Sequence, residues 1–459
     1  RGKRRFSCIA LRAESGRRDR RHVMPEDRRM GNQIVDRIRE AGVVGAGGAG
    51  LPTHVKADAT VDTVLVNGAS CEPLLMSDPH LMEHEVDTML RGLKAVMECT
   101  GAKKGMVCLK GKHAKAMASV REAVAREGSG TLEAFELGDF YPAGDEQVLV
   151  YEALGRIVPE RGLPLQVGAV VSNVETLYNV ARALDGIPVT ERYLTVAGEV
   201  RRPMVVKAPV GTPVADVIAF AGGATIPEYR VVDGGPMMGK VLPDVSRAVV
   251  TKTTSGLLVL PPDHNVVVRK VMDPARVRQI TNTICCQCSR CTDLCPRHLL
   301  GHSLHPNKLM RVFAGQDLAS ETAKEALLCS ECGLCEKFAC PMMVSPREVN
   351  AQIKRELMKA GVKWVSSGKA PEPNTFREER RVPTARLLQR LDLVEYDTHP
   401  GYAGEIVPSR VSIPLRQHIG APAVCVVSEG MRVKCGDLIG EIPEKASRRP
   451  SGLRKTTFL

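Results

Sequence analysis

With 459 residues, 43% of them apolar, the chain is long enough for several domains with cores of their own. Aromatic residues make up only 3%, too few for a surface that stacks single-stranded nucleic acid. The net charge of +12 resides in the ends: residues 1–30 carry +7 and residues 445–459 carry +5, so the span Gly31–Glu444 is neutral and no nucleic-acid partner is expected.

Both ends, 1–30 and 445–459, read as solvated basic tails. The first lacks the apolar stretch of a secretory signal, and sequence upstream of a start at Met24 or Met30 explains it better than a transit peptide. No run of about 18 apolar residues occurs, so no transmembrane segment is expected.

Residues 31–187 alternate helical and strand patterns. Gly31–Ala41 reads as a helix with Ile34, Val35 and Ile38 on one face, running into the glycine-rich stretch Gly45–Gly50. Thr63–Val66 reads as a buried strand halted at Asn67-Gly68, residues 80–100 as a helix, Gly105–Lys110 as a strand and Lys112–Glu127 as a helix. Such alternation implies an α/β layer with parallel strands. From 188 to 262 the texture changes to short β-like runs between Gly/Pro turns, the size of a β-grasp module. Residues 263–365 are helical and broken by cysteine motifs. Residues 366–408, rich in Pro, Arg and Gly, read as a linker with one amphipathic helix, Thr384–Leu393, and 409–444 as a short-stranded piece.

Nine of the 15 cysteines lie between Cys285 and Cys340, which points to a metal centre in a reducing compartment rather than to disulfides. They form two sets: Cys285, Cys288, Cys291 and Cys295-Pro296, then Cys329, Cys332, Cys335 and Cys340-Pro341. Three thiolates at this spacing can reach separate irons of one cubane, while the fourth, before proline, ligates the other. Cys285, Cys288, Cys291 and Cys340 are therefore expected to hold one [4Fe–4S] cluster, and Cys329, Cys332, Cys335 and Cys295 the second. Two zinc sites are the alternative, but zinc more often takes two C-x2-C pairs across a longer loop. The second set has four residues, not three, before its last cysteine, so a bulge is expected within Glu336–Ala339. Cys286 is surplus.

Gly45, Gly47, Gly48 and Gly50 let a backbone approach a phosphate or a flavin ring, though a loop of this kind is alone also an ordinary turn. Its companions are Lys56, for a phosphate or flavin carbonyl, Asn67 at a strand end, Glu72 and the turn Gly144-Asp145-Glu146 as carboxylates for ribose hydroxyls, and Ser172-Asn173 at another strand end. Polar residues at strand ends of an α/β sheet are where ligands bind. His80 and His84 are an i, i+4 pair without an apparent third ligand, and Lys434 lies in a turn without the flanking residues of a carrier lysine.

The stretches GAGGAGLPTHVK (Gly45–Lys56), NGASCEP (Asn67–Pro73), YPAGDEQVLV (Tyr141–Val150) and VVSNVET (Val170–Thr176) resemble the NADH- and FMN-binding subunit of respiratory complex I. Over roughly 31–442 the chain resembles still more closely the family of Rnf complex C subunits and PduS-type cobalamin reductases. The resemblance implies a Rossmann-like FMN/NADH-binding domain, an SLBB β-grasp module at Leu194–Gly239, a helical two-cluster ferredoxin domain, and part of a lipoyl-like barrel-sandwich hybrid at Val411–Ile442. It implies FMN on the Gly45–Gly50 loop, Lys56, Asn67, Gly144 and Ser172-Asn173, with NADH near Glu72 and Glu146. A hybrid barrel placed after the clusters resembles PduS-type proteins rather than Rnf C subunits. Leu51, where relatives carry an aromatic residue, and Ser70, where they carry a carboxylate, depart from the pattern.

The implied activity is hydride transfer from NADH to FMN, then single electrons through two [4Fe–4S] clusters to a corrinoid; no side chain is needed as a nucleophile or general acid. The implied partners are cobalamin or a corrinoid adenosyltransferase and a microcompartment shell protein, in the cytoplasm or within a bacterial microcompartment. An Rnf-type NADH:ferredoxin subunit and a non-enzymatic electron relay of a microcompartment shell are the alternatives.

Overall fold

The computed structural model describes residues 8–12, 33–366 and 370–441; side chains of residues 8–12, and the expectations for the rest of 1–32 and for 445–459, lie outside what is described. The α/β layer is a four-stranded parallel sheet in the order Leu132–Leu137, Lys104–Lys110, Thr63–Gly68, Ala169–Asn173. Thr63–Gly68, Lys104–Lys110 and Ala169–Asn173 are largely apolar and buried because helices cover both faces, while the edge strand Leu132–Leu137 carries Glu133 and Glu136. Val86–Thr100 and Val174–Leu184 pack against each other so closely that a Cβ at Gly92 would lie 1.9 Å from the Leu177 carbonyl oxygen. The helix expected over 80–100 is two, Ser77–His84 and Val86–Thr100, parted at Glu85.

The chain order of this sheet reverses beside Thr63–Gly68: two strands are added on one side, then Ala169–Asn173 on the other. The crevice beyond the C-terminal ends of those two neighbours is the topological switch point, where open α/β sheets bind ligands. Asn67 and Asn173 are register partners at its two lips.

The β-grasp module is a sheet of Glu191–Gly198, Met204–Pro209, Arg230–Asp233, Lys240–Val241 and Gly256–Leu260 around the helix Val214–Phe220. A sixth strand comes from beyond the cysteine motifs: Tyr402–Glu405 pairs in parallel with Met204–Pro209. Val382–Pro383 pairs with Phe140–Tyr141. The stretch expected to be a linker thus ties both other domains together. Its helix, Thr384–Leu391, buries Leu387, Leu388 and Leu391 on one side, as its period requires. Cys8–Arg12, within the expected basic tail, is a strand antiparallel to Arg410–Pro414.

The cysteine-bearing domain is helical from Asn265 to Lys359. The bulge expected before Cys340 is a π-helical turn, Cys335–Ala339, the conformation that absorbs one extra residue within a helical turn.

Candidate functional site

At the crevice, Gly47, Gly48 and Ala49 are exposed, and the loop carrying them is tied down at its ends. The Gly45 amide donates to the Leu51 carbonyl at 2.8 Å and the Ala46 amide to Thr176 Oγ1 at 2.9 Å. The Ala46 carbonyl accepts from Arg192 Nη2 at 3.0 Å, and Arg192 itself is buried, with Glu175 at 3.1 Å. Gly48 has φ +102°, a conformation that favours glycine, and a Cβ there would meet nothing within 4 Å, so its backbone is open to a ligand.

Lys56 and Glu146 face each other across the crevice: Lys56 Nζ donates to Glu146 Oε1 at 2.5 Å and to the Val171 carbonyl at 2.9 Å. Asn67 Nδ2 donates to the Gly144 carbonyl at 2.8 Å. Gly144 must be glycine, since a Cβ would come within 2.9 Å of both Ala69 Cβ and Asn67 Oδ1. Its amide donates to Cys71 Sγ at 2.7 Å, which gives that enclosed thiol a structural partner; burial pushes its pKa up. Ser172 is buried under the lip. Asn173 caps Val174–Leu184, accepting from the Glu175 and Thr176 amides, and donates to Asp78 Oδ2 at 2.9 Å. Burial raises the Asp78 carboxyl to about 6.

Two carboxylates expected at the ligand have other partners. Glu72 accepts from the Met237 and Met238 amides at 2.8 and 2.7 Å, closing the β-grasp turn onto the α/β layer, and burial pushes its carboxyl up. Asp145 caps Glu146–Leu154 and holds Arg297, which lies two residues beyond Cys295. Both carboxylates thus join domains, whatever else they meet in the crevice. Ser70 Oγ donates to the Leu75 carbonyl at 2.9 Å.

The eight thiols fall into two fours. A surface cavity is lined by Cys285, Cys288, Cys291 and Cys340, together with the surplus Cys286. A second is lined by Cys295, Cys329, Cys332 and Cys335. Each triad turns through left-handed residues at the same offsets, Gln287 and Ser289 in one, Glu331 and Gly333 in the other, which wraps the chain around its cavity. Cys285 Sγ accepts from Gln287 Nε2 at 3.2 Å and Cys329 Sγ from the Glu331 amide at 3.4 Å, the kind of bond that tunes a cluster's potential. Among the described residues no group of three or more His, Cys, Asp or Glu side chains could hold a single metal ion. The thiols surround a volume instead of converging within thiolate reach of one zinc, which fits a cubane better than zinc. His80 and His84 stand with ring centroids 4.7 Å apart and gain no third ligand.

The two regions share a wall. Tyr141, three residues before Gly144, donates its hydroxyl to the Cys332 carbonyl at 2.6 Å, and Arg297 of the second cavity holds Asp145. Sequence reasoning missed Tyr141, Arg192 and Arg297; the only signal for Arg297 was its place after Cys295-Pro296.

Among known families, residues 38–182 match the Nuo51 FMN-binding domain, 193–241 the SLBB domain, 284–345 the 4Fe-4S dicluster domain and 403–448 the RnfC barrel sandwich hybrid domain. The chain is 42% identical over 422 residues to the cobalamin reductase PduS of Salmonella typhimurium, covering 91% of this chain and 92% of the relative. It is 41% identical to that of Citrobacter freundii, again over 91% and 92%. The C subunit of the Na(+)-translocating ferredoxin:NAD(+) oxidoreductase complex of Acetobacterium woodii is 36% identical, over 57% of each chain.

Proposed function

We propose, since this chain belongs to the PduS cobalamin reductase family, that it is an NADH-dependent oxidoreductase that binds FMN and two [4Fe–4S] clusters and delivers electrons singly to a corrinoid. FMN would lie in the switch-point crevice, held by the Gly45–Gly50 backbone, Lys56, Asn67, Gly144 and Asn173, with Glu146 beside it. Each cavity's four thiols would hold one cluster. When bound, flavin supplies the conversion of a two-electron hydride donor into one-electron steps.

The observation that carries this reading is the shared wall. The turn Gly144–Glu146 lines the crevice with its ends and, through Asp145, grips Arg297 at the second cavity. The chain's own task is to fix the gap between crevice and cavity and to keep water out of it. Tyr141 and Arg297 are both buried.

The acceptor would be cobalamin, free or held by a corrinoid adenosyltransferase, and a microcompartment shell protein is the proposed neighbour in the cell. Among the described residues no helix is long and apolar enough to cross a membrane. Protein purified without oxygen should release FMN, carry about eight irons, lose cluster absorbance on adding NADH, and reduce a cob(III)alamin. Zinc in place of iron, or clusters without flavin, would overturn the reading. Co-purification with shell proteins tests the location.

A further inference from the structure

The two thiol cavities differ in their access to solvent. Cys295, Cys329, Cys332 and Cys335 are all buried, and their cavity abuts the crevice wall through Tyr141 and Arg297. In the other cavity Cys288 is exposed, Cys285 and Cys291 are partly so, and only Cys340 is buried. We propose that the wire has a direction: the Cys295–Cys335 cavity receives electrons from the crevice, and the Cys285–Cys340 cavity delivers them at a surface built to dock an acidic protein that carries the acceptor. This rests on the proposed function of the two cavities.

The rim of the outer cavity is apolar at its centre. Ile284, Met342 and Met343 are 42%, 40% and 50% exposed. Methionine packs adaptably, which suits a contact that must form and release. Around it the charge is positive. Arg290 lies between the lining residues Ser289 and Cys291; Lys308 and Arg311 each follow a lining residue, Asn307 and Met310, on Pro306–Gly315. All three are exposed, and none has an ion-pair partner among the described residues. The nearby acids are engaged: Asp293 with Arg380 at 3.7 Å, and Glu348 with Arg347 and Arg355. A free corrinoid needs no such field. Unpaired cations around an apolar electron exit complement an acidic surface and speed its encounter.

The test uses the holoprotein and one redox centre in two charge forms: native cytochrome c, which is basic, and its succinylated form, which is acidic. Each NADH oxidised to NAD+ releases a proton and reduces two cytochrome haems by one electron each. Succinylated cytochrome c should be reduced with a kcat/KM at least about tenfold higher at low ionic strength, and the advantage should collapse with salt. The triple variant Arg290→Glu, Lys308→Glu, Arg311→Glu should reverse the preference through KM, while NADH bleaches its clusters at the native rate. Equal rates for both forms, or a preference the triple variant leaves intact, would sink the proposal. Clusters reduced with dithionite and freed of the excess supply electrons without NADH, so failure of the NADH step and failure of docking read separately.

Discussion

The Asp145 carboxylate holds the Arg297 guanidinium through two hydrogen bonds, Nη1 to Oδ1 at 2.5 Å and Nη2 to Oδ2 at 2.9 Å, across 152 residues of sequence. Both side chains are about nine-tenths buried. A fork-to-fork pair fixes orientation as well as distance, so it sets how the switch-point crevice faces the inner thiol cavity. Removing one partner of a buried pair costs about 3–5 kcal/mol, because the other charge stays buried alone. Asp145→Asn keeps an N-cap acceptor yet should lower the first unfolding midpoint sharply. Asp145→Asn with Arg297→Met should recover much of the loss. Stopped-flow mixing with NADH should show the single variant reducing flavin at the native rate and clusters more slowly; equal slowing of both would rule out a positioning role.

The crevice glycines separate ligand contact from packing. A Cβ at Gly47 would have its nearest neighbour 3.7 Å away, at Asn173 Cβ, an ordinary contact. Gly47→Ala should therefore fold with native stability and lose FMN affinity by about tenfold or more, as the methyl enters the space where backbone meets flavin. Gly144→Ala forces contacts of 2.9 Å and should cost about 1–3 kcal/mol of stability besides. Thermal unfolding and flavin titration of both variants decide. A Gly47→Ala protein that keeps its flavin would move the binding site elsewhere.

What was legible in the sequence was local. Thiol spacing reports which cysteines share a turn, and the extra residue before Cys340 announced itself as a bulge, realised as the π turn Cys335–Ala339. Strand ends with Asn67 and Ser172-Asn173 were legible because apolar runs stop there. The inter-domain partners of Glu72 and Asp145 were not legible, because a carboxylate near a glycine-rich motif looks the same whether it meets a ribose or another domain. Their partners, Met237 and Met238 for one and Arg297 for the other, lie more than 150 positions away, and no local pattern encodes them. The strands Val382–Pro383 and Tyr402–Glu405 were hidden likewise: two to four residues in a Pro- and Arg-rich stretch carry no period, and only the edges they complete make them strands.

Lys252 gives a pH dependence of definite sign. It is 3% exposed, its Nζ donates to the Gly42 carbonyl at 2.9 Å, and burial lowers its pKa to about 8. Between about pH 8 and the ordinary lysine range the unfolded chain keeps a proton that the folded chain has released, so stability rises with pH across that window. The gain should approach about 3 kcal/mol at most. Lys252→Met should flatten the rise, measured as the denaturant midpoint from pH 7.5 to about 10. A slope unchanged in the variant would assign the titration to another group.

Crossed ligation makes the cysteine variants pair in an order that the linear motifs do not suggest. If Cys340 belongs with Cys285, Cys288 and Cys291, then Cys340→Ala should leave the same residual electron paramagnetic resonance spectrum as Cys288→Ala, that of the inner cluster alone. Cys295→Ala should match Cys332→Ala, with only the outer cluster's signal left. Each variant should hold about four irons rather than about eight. Ligation within each linear motif would instead match Cys340→Ala to Cys332→Ala. The cavity linings favour the crossed outcome, since Cys340 stands with the first triad and Cys295 with the second. The same four variants test the direction of the wire. With the inner cluster lost, NADH should no longer bleach the outer one. With the outer cluster lost, NADH should still reduce the inner one while electron delivery to a protein acceptor stops.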